Sequence, residues 1–243
     1  MTSYCVLPVI GIPELREGDD LAALILERVE LEDGDVVVVA QKAISKIEGR
    51  VVRLDAIEPS ERAREIAGDD GDPRRIEAIL GEAREVVRVR APLVICETQH
   101  GFICASAGVD TSNAPEPGML VLLPLDPDAS ASRLREALRE RTGRTVGVVV
   151  TDSFGRPWRQ GTTDVAIGAA GVEVLRDLTG ERDPTGYALR ATVIAVADEI
   201  AGAAQLVSGK LDRVPVTILR GLDIAGDGRA TDIPVPAERD LFR

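Results

Sequence analysis

Short apolar segments recur along the chain, and their composition is typical of β-strands. They are rich in Val, Ile and Leu, and Gly, Pro or Asp residues bound them. The predicted strands cover residues 5–10, 36–40, 51–54, 86–89, 93–96, 119–123, 146–151 and 214–219. His100 and Gly101 separate two of these short apolar runs, which favours a hairpin at that point.

Amphipathic helical patterns lie between the strands. Residues 19–29 place Leu21, Leu24, Ile25 and Val29 on one stripe behind acidic capping residues. The other predicted helices cover residues 60–66, 73–86, 130–141 and 195–207. Strands mixed with helices predict an α/β or mixed α+β chain, with mixed sheets and flanking helices. Because no linker or repeat divides residues 1–243, we expect a single catalytic unit, built as one lobe or two.

The charge balance limits the classes of partner. The chain has 41 acidic and 29 basic residues, and its formal net charge is -12 at pH 7. This argues against general binding to nucleic acid or anionic membranes, which needs a broad basic surface. No apolar run reaches the roughly 18–20 residues of a membrane helix, and the N-terminus lacks the features of a signal peptide. We expect a soluble, cytoplasmic protein.

Cysteine and histidine are too scarce for the common metal or disulfide frameworks. Cys5, Cys96 and Cys104 form neither a zinc-type pair nor an even set for disulfides. Cys96 and Cys104 are spaced to face each other across a hairpin, and we favour buried free thiols for them. The sole histidine, His100, excludes a His-rich metal site and leaves one imidazole for acid–base chemistry.

The clearest indication of chemistry is the apolar strand 146–151, which ends in Asp152 and Ser153. A carboxylate and a hydroxyl at a sheet edge are oxygen ligands suited to Mg²⁺ or Mn²⁺, and nucleotide enzymes use such an Asp to hold the metal that bridges phosphates. An ordinary turn or helix cap is the alternative. A second carboxylate, Asp110 in the small polar segment 108–113, strengthens the metal hypothesis, although an Asx-type turn also suits that segment.

The segment 154–161 follows this carboxylate and contains the only tryptophan of the chain, Trp158, with Arg156 and Arg159. Arginine binds carboxylates and phosphates, and the indole offers a flat face for a ring. A loop anchored by Trp158 with solvated arginines is the alternative. Because of its position beside Asp152, we favour a substrate site.

The basic residues are almost all arginine, and the exceptions are Lys42, Lys46 and Lys210. They stand near predicted strand and helix ends, which indicates a need for compact charge, although chance would also leave two or three lysines. The chain has no P-loop and no Gly-x-Gly-x-x-Gly after a strand. If the chain binds a nucleotide, it does so by a less common binding motif.

Nine sequence stretches carry a resemblance to a known family. They are PVIGIPE (8–14), GDDL (18–21), GDVVVV (34–39), ISKIEGR (44–50), HGF (100–102), AGVDTSN (107–113), LPLDPDAS (123–130), TDSFGR (151–156) and AVADE (195–199). In this order they resemble the coenzyme F420-0:L-glutamate ligase family, the γ-glutamyl ligases of deazaflavin coenzyme biosynthesis. The resemblance runs from about residue 7 to the end, and several motifs are long, which argues against chance similarity.

The resemblance implies a specific reaction. GTP would phosphorylate the terminal carboxylate of F420-0, whose tail ends in phospholactate, with release of GDP. The amine of L-glutamate would then attack the acyl phosphate, which gives an amide and releases phosphate. Further glutamates would be added through γ-linkages. It also implies two divalent ions (Mn²⁺ or Mg²⁺), assistance by K⁺, and an intertwined homodimer. Some bacterial members continue into a flavin-binding, nitroreductase-like domain; because this sequence ends at Arg243, we expect that second activity to be absent.

The resemblance also implies roles at the matching positions. The residues expected to contact GTP are Ile10, Gly11, Ile12, Pro13, Gln41, Lys42, Lys46, Asn113, Ser208, Gly209, Lys210 and Leu211. Asp110 and Asp152 would hold the first metal, and Ser153 would help to hold a second. Asp152 and Lys46 are the expected catalytic residues.

Two further points concern the substrate and the second metal. Arg156 and Arg159 are our own prediction for binding the acidic tail of the coenzyme. Ser153 stands where relatives often have threonine, and this change keeps the hydroxyl. Lys210 stands where some relatives carry an acidic metal ligand, which leaves the protein ligands of the second metal open.

Two other classes of function remain alternatives. One is a metal-dependent phosphoryl transferase or hydrolase acting on a nucleotide or a phosphorylated small molecule. The other is a non-catalytic nucleotide sensor or scaffold. Retention of Asp110, Asn113, Asp152 and Lys46 counts against the non-catalytic alternative.

Overall fold

The predicted strands all form in the computed structural model, which describes residues 3–241, with ends that shift by a few residues. The strands are β1 (Cys5–Pro8), β2 (Val36–Ala40), β3 (Val51–Arg53), β4 (Ala83–Arg90), β5 (Leu93–Thr98), β6 (Ile103–Ala105), β7 (Met119–Val121), β8 (Gly147–Arg156), β9 (Arg159–Ala170), β10 (Arg176–Asp177), β11 (Val193–Ile194) and β12 (Val216–Arg220). The α-helices are α1 (Leu21–Leu26), α2 (Gln41–Ile47), α3 (Glu61–Ala67), α4 (Pro73–Glu82), α5 (Pro127–Thr142) and α6 (Val196–Ser208). The mixed α/β class is therefore confirmed. None of the helices in residues 3–241 is both long and apolar enough to cross a bilayer.

A mixed five-stranded sheet of order β1-β12-β2-β8-β9 forms the centre of the fold. Only β2 and β8 are parallel, and the other neighbouring strands are antiparallel. The valines of β2 and of the first half of β8 are almost completely buried, as expected for strands that are covered on both faces. Helices α5 and α6 both pack against β9.

The strand register brings four chain segments to one edge of this sheet. Because β2 and β8 run parallel with Ala40 opposite Thr151, α2 begins beside the middle of β8. The Ala40 N–H donates to the Pro215 carbonyl at 2.9 Å, so the segment before β12 reaches the same edge. β1 runs antiparallel to β12 with Pro8 opposite Thr217, and the segment after β1 therefore arrives there as well.

A second hydrophobic cluster lies around the three-stranded sheet β4-β5-β6 and the β3–β7 pair. Ile76 and Ile79 of α4 pack there with Val94 of β5 and Leu120 of β7. This cluster is separate from the one that surrounds the five-stranded sheet. Residues 3–241 thus form two hydrophobic clusters.

The predicted hairpin at His100 and Gly101 is confirmed, because β5 and β6 pair with Cys96 opposite Cys104. Both cysteines are buried free thiols, as expected, whereas Cys5 is exposed. Burial raises the pKa of Cys104 to about 12, and the charge of Asp152 also raises it. Cys104 is therefore a protonated, apolar residue in the physiological pH range.

Two expectations about secondary structure are wrong. The helix predicted over 73–86 ends at Glu82, and β4 begins at Ala83, because β-branched residues such as Val86 gain a strand partner in β5. The predicted end of the strand 146–151 is also wrong. β8 continues to Arg156 and pairs with β9, so Asp152 lies inside a strand rather than at its end.

The buried carboxylate of Asp128 connects α5, β9 and the 3₁₀ turn Ala230–Asp232. It accepts hydrogen bonds from the N–H groups of Ala169 at 2.8 Å and Ala230 at 2.9 Å, and from the Thr231 Oγ1 at 3.0 Å. We expect Asp128→Ala to lower the free energy of unfolding by about 3 kcal/mol, because it leaves buried donors unpaired. Urea denaturation would measure this, with Glu140→Ala on the exposed face of the same helix as the control. Equal stability of the two variants would contradict the prediction.

Candidate functional site

A cleft of about 780 Å³ lies at the sheet edge where the four segments meet. Its lining consists of residues 12–15 after β1, parts of 40–46 at the start of α2, residues 113–115, residues 151–153 of β8 with Asp164 of β9, and residues 208–211 and 213–215 before β12. The predicted GTP-binding residues in this lining are Ile12, Pro13, Gln41, Lys42, Lys46, Asn113, Ser208, Gly209, Lys210 and Leu211. Segments far apart in sequence therefore form one concave surface.

All three lysines of the chain line this cleft. Lys42 and Lys46 are four residues apart on α2 and so lie on the same side of the helix. The Lys42 Nζ lies 2.5 Å from the Asp110 Oδ2, and the Lys46 Nζ forms an ion pair with Glu14. Their side chains are only 13% and 10% exposed, so their charges act in a partly desolvated environment. Lys210 is exposed in the loop after α6.

Helix α2 is short, and its position depends on packing rather than on a side-chain cap. It begins directly after β2, and Ala43 and Ile44 are buried in the core. Gln41 lines the cleft, but its Nε2 donates to the Ser45 Oγ at 2.9 Å and to the Leu122 carbonyl at 3.0 Å. The amide nitrogen of Gln41 is thus engaged in holding the helix in place.

Carboxylates surround the partly buried Asp152 on β8. Burial raises its pKa to about 6; the charge of Lys42 lowers this pKa, and the charges of Asp110 and Asp164 raise it. Burial acts in the same direction on Asp110, but the hydrogen bond and charge of Lys42 together with Ser112 keep the pKa of Asp110 below its ordinary value. The negative charges of these carboxylates are therefore close together, and burial disfavours the ionised form of Asp152. A bound cation would stabilise that ionised form.

These carboxylate and hydroxyl oxygens fit a hard divalent cation. Within residues 3–241, no three or more His, Cys, Asp or Glu side chains lie close enough together to hold a metal ion by themselves. A cation held by Asp110, Asp152 and Ser153 would therefore complete its coordination with water and substrate oxygens, as Mg²⁺ commonly does.

Asp164 is a residue that the sequence analysis missed. It lies on β9 directly opposite Ser153, and the Ser153 Oγ donates a hydrogen bond of 2.6 Å to the Asp164 Oδ1. The signal in the sequence was an acidic residue immediately before the apolar run 165–170, but β9 itself had not been predicted.

Five predicted site residues lie outside the cleft lining, and one of them, Asp110, is linked to it by the ion pair with Lys42. Arg156 and Arg159 are exposed partners at the end of the β8–β9 hairpin, and Ile10 and Gly11 are exposed just before the segment that enters the cleft. The structure thus does not bring the two arginines to the lysines and Asp152, and their role in substrate binding stays a prediction.

The sole histidine is also outside the cleft lining. The His100 Nε2 lies 3.0 Å from the Pro124 carbonyl and 3.1 Å from the Leu125 carbonyl, and its ring stacks on Phe102. His100 thus supports the fold near this hairpin.

Comparison with known proteins supports one family. A family model described as F420-0:Gamma-glutamyl ligase matches residues 9–221. The chain is similar to the coenzyme F420:L-glutamate ligase of Methanopyrus kandleri, with 48% identity over 95% of this chain and 94% of the relative. The enzymes of the same name from Archaeoglobus fulgidus (46% identity, 98% and 96%) and Methanothermobacter thermautotrophicus (43% identity, 98% and 98%) are also similar. The chain therefore belongs to the F420-0:γ-glutamyl ligase family.

Proposed function

We propose that this protein ligates L-glutamate to coenzyme F420-0 in coenzyme F420 biosynthesis, with GTP as the energy source. Membership of the F420-0:γ-glutamyl ligase family and the similarity to coenzyme F420:L-glutamate ligases support the two organic substrates. The observation that carries the nucleoside triphosphate part is that all three lysines and Asp152 line one cleft. A triphosphate and an anionic acceptor repel each other, and such a cluster of cationic groups reduces this repulsion.

The lysines would bind the phosphates. Lys42 and Lys46 are partly desolvated, which strengthens their attraction for anionic oxygens, and the exposed Lys210 would approach from the opposite loop. Asp110 and Glu14 balance the charges of Lys42 and Lys46. Binding of the triphosphate would therefore exchange these carboxylate partners for phosphate oxygens.

Asp110, Asp152 and Ser153 would hold the divalent cations of the reaction. When bound, Mg²⁺ or Mn²⁺ neutralises charge on the phosphate oxygens. Position 210 is a lysine and cannot supply an acidic ligand to the second ion, so water and phosphate would supply more of the coordination of that ion. We extend the proposal to K⁺ as an assisting ion, to a homodimer and to a cytoplasmic location.

The chemistry would proceed in two displacements. A carboxylate oxygen of F420-0 attacks the γ-phosphorus of GTP, the bond from that phosphorus to the β,γ-bridging oxygen breaks, and GDP leaves. The amine of L-glutamate then attacks the acyl carbon, the carbon–oxygen bond to the phosphate breaks, and inorganic phosphate leaves as the nitrogen loses a proton. Lys42 and Lys46 hold the phosphates in line, while the partly buried cleft limits access of water to the acyl phosphate.

Product analysis tests this proposal directly. Purified protein is incubated with F420-0, L-glutamate, GTP and Mn²⁺, and GDP release and the product mass are measured. We expect GDP release that requires both co-substrates and a product heavier than F420-0 by one or more glutamyl units, with GTP preferred over ATP. GDP release without L-glutamate and without an amide product would favour the phosphoryl transferase or hydrolase alternative. Equal rates with ATP would contradict the GTP preference alone.

A further inference from the structure

We propose that Asp164 is a positioning residue. Its hydrogen bond holds the Ser153 hydroxyl so that the lone pairs of the Ser153 Oγ face the cleft and coordinate the divalent cation. This inference rests on the proposed function, because the cation in question is the one bound with the nucleotide. The role of Asp164 follows from the pairing of β8 with β9.

The hydrogen-bond geometry fixes the direction of the hydroxyl. Ser153 and Asp164 are direct partners across the antiparallel strands, and both line the cleft. The distance from the Ser153 Oγ to the Asp164 Oδ1 is 2.6 Å, which is typical of a charge-assisted O–H···O⁻ bond. An ionised carboxylate only accepts, so the hydroxyl hydrogen must point to Asp164. The two lone pairs of the Ser153 Oγ then point elsewhere and are free to accept or to coordinate.

Asp164 is itself held on two sides. Its backbone N–H donates to the Gln205 Oε1 of α6 at 2.9 Å, and the Thr151 Oγ1 lies 3.4 Å from its second carboxylate oxygen. The carboxylate is therefore tied to β8, while α6 holds the backbone of Asp164. A residue that hydrogen-bonds to a metal ligand can orient that ligand only if it is itself held in place.

A serine side chain needs a hydrogen-bond partner to fix its χ1 angle. Its side chain is unbranched at Cβ and has three staggered χ1 positions available, whereas a β-branched side chain is stiffer at χ1. The Asp164 hydrogen bond selects one of these positions for Ser153. Threonine at position 153 would keep the hydroxyl and restrict χ1 by itself, so it should depend less on Asp164.

A double-mutant cycle on metal binding tests the inference. Mn²⁺ is titrated into the full-length chain in the presence of GDP, and free Mn²⁺ is followed by its electron paramagnetic resonance signal. Ser153→Ala and Asp164→Ala are each expected to weaken Mn²⁺ binding by about tenfold. Because Asp164 acts through Ser153, Asp164→Ala should add less than about twofold in the Ser153→Ala background. Asp164→Asn, which keeps an acceptor oxygen, should restore most of the affinity, and the loss on Asp164→Ala should be smaller in a Ser153→Thr background.

Several outcomes would overturn it. Additive losses in the double variant would mean that Asp164 contacts the cation independently, and equal weakening by Asp164→Asn and Asp164→Ala would mean that its charge alone matters. Unchanged Mn²⁺ binding in Asp164→Ala, with only a lower melting temperature, would leave Asp164 with a purely structural role. If Asp164→Ala does not fold, Asp164→Val replaces it, because a β-branched residue suits a strand. Asp227→Asn, an exposed site outside the cleft, is the matched control.

The result separates this inference from the proposed function. A chain that binds Mn²⁺ with GDP and forms the glutamyl product, yet shows no coupling between residues 153 and 164, would contradict only the inference about Asp164. A chain that shows the coupling but forms no glutamyl product would contradict only the proposed reaction. Failure of the wild-type chain to bind Mn²⁺ with GDP would contradict both.

Discussion

Asp152→Asn is expected to reduce turnover by about 10²–10³-fold, because it removes a charge that the site needs at the transferring phosphate. Asparagine has nearly the same shape, so the loss would not come from a cavity. Steady-state assays of GDP release at saturating GTP, F420-0 and L-glutamate would measure it. Turnover close to that of the wild type at ordinary metal concentration would contradict the role of Asp152.

The same substitution is expected to have the opposite effect on stability. Burial raises the pKa of folded Asp152 to about 6 from 3.8, so between these pH values the folded state binds more protons than the unfolded state. Stability of the wild type is therefore lost as pH rises through this interval. The Asn variant lacks this loss, and its stability advantage should grow from about pH 4 to about pH 6 and then level off. Urea unfolding in EDTA would measure it.

Two comparisons make the Asp152 result specific. Asp227→Asn removes a carboxylate from an exposed site outside the cleft and should change neither turnover nor the pH dependence. An Asp152→Asn variant that loses activity together with stability would indicate misfolding instead of a lost cation ligand. Inactivity with retained or increased stability is the expected pair of results.

Lys46→Met is expected to lower kcat/KM for GTP by about 10–100-fold. A hydrogen bond to a charged group contributes about 1.5–3 kcal/mol, and each 1.4 kcal/mol corresponds to a factor of about ten. Methionine keeps an apolar stem of similar length, so packing around α2 should be largely preserved. Because the Lys46 side chain is only 10% exposed, water replaces its charge poorly. Initial-rate kinetics with varied GTP would measure the change.

The controls for Lys46 separate local charge from net charge. Arg190→Gln removes one exposed positive charge elsewhere and should leave the kinetics for GTP unchanged. Lys46→Arg should not restore full activity, because a planar guanidinium does not replace a compact ammonium in a confined position. A Lys46→Met variant with wild-type kinetics for GTP would remove Lys46 from the proposed site.

The fold class followed from the sequence because its signals are local. Runs such as the four valines of β2 have no favourable alternative to burial in a sheet, and the strand was predicted with its observed ends. The hairpin at His100 is similarly local, because its two strands are adjacent in sequence. In contrast, α2 has only seven residues, and β9 is polar in its first half, so neither shows a clear period. Both depend on the neighbouring strand β8 for their position.

The sequence by itself determined most of the candidate side chains: an Asp after a run of valines, a second Asp in a small polar segment, and three lysines in an arginine-rich chain. Tertiary structure alone decided which of these side chains meet. The parallel pairing of β2 with β8 and the antiparallel pairing of β12 with β2 bring Lys42, Lys46 and Lys210 to Asp152, while the hairpin carries Arg156 and Arg159 away. Strand pairing connects residues that are distant in the chain, and its register depends on the burial of whole sheet faces, which no short sequence window contains.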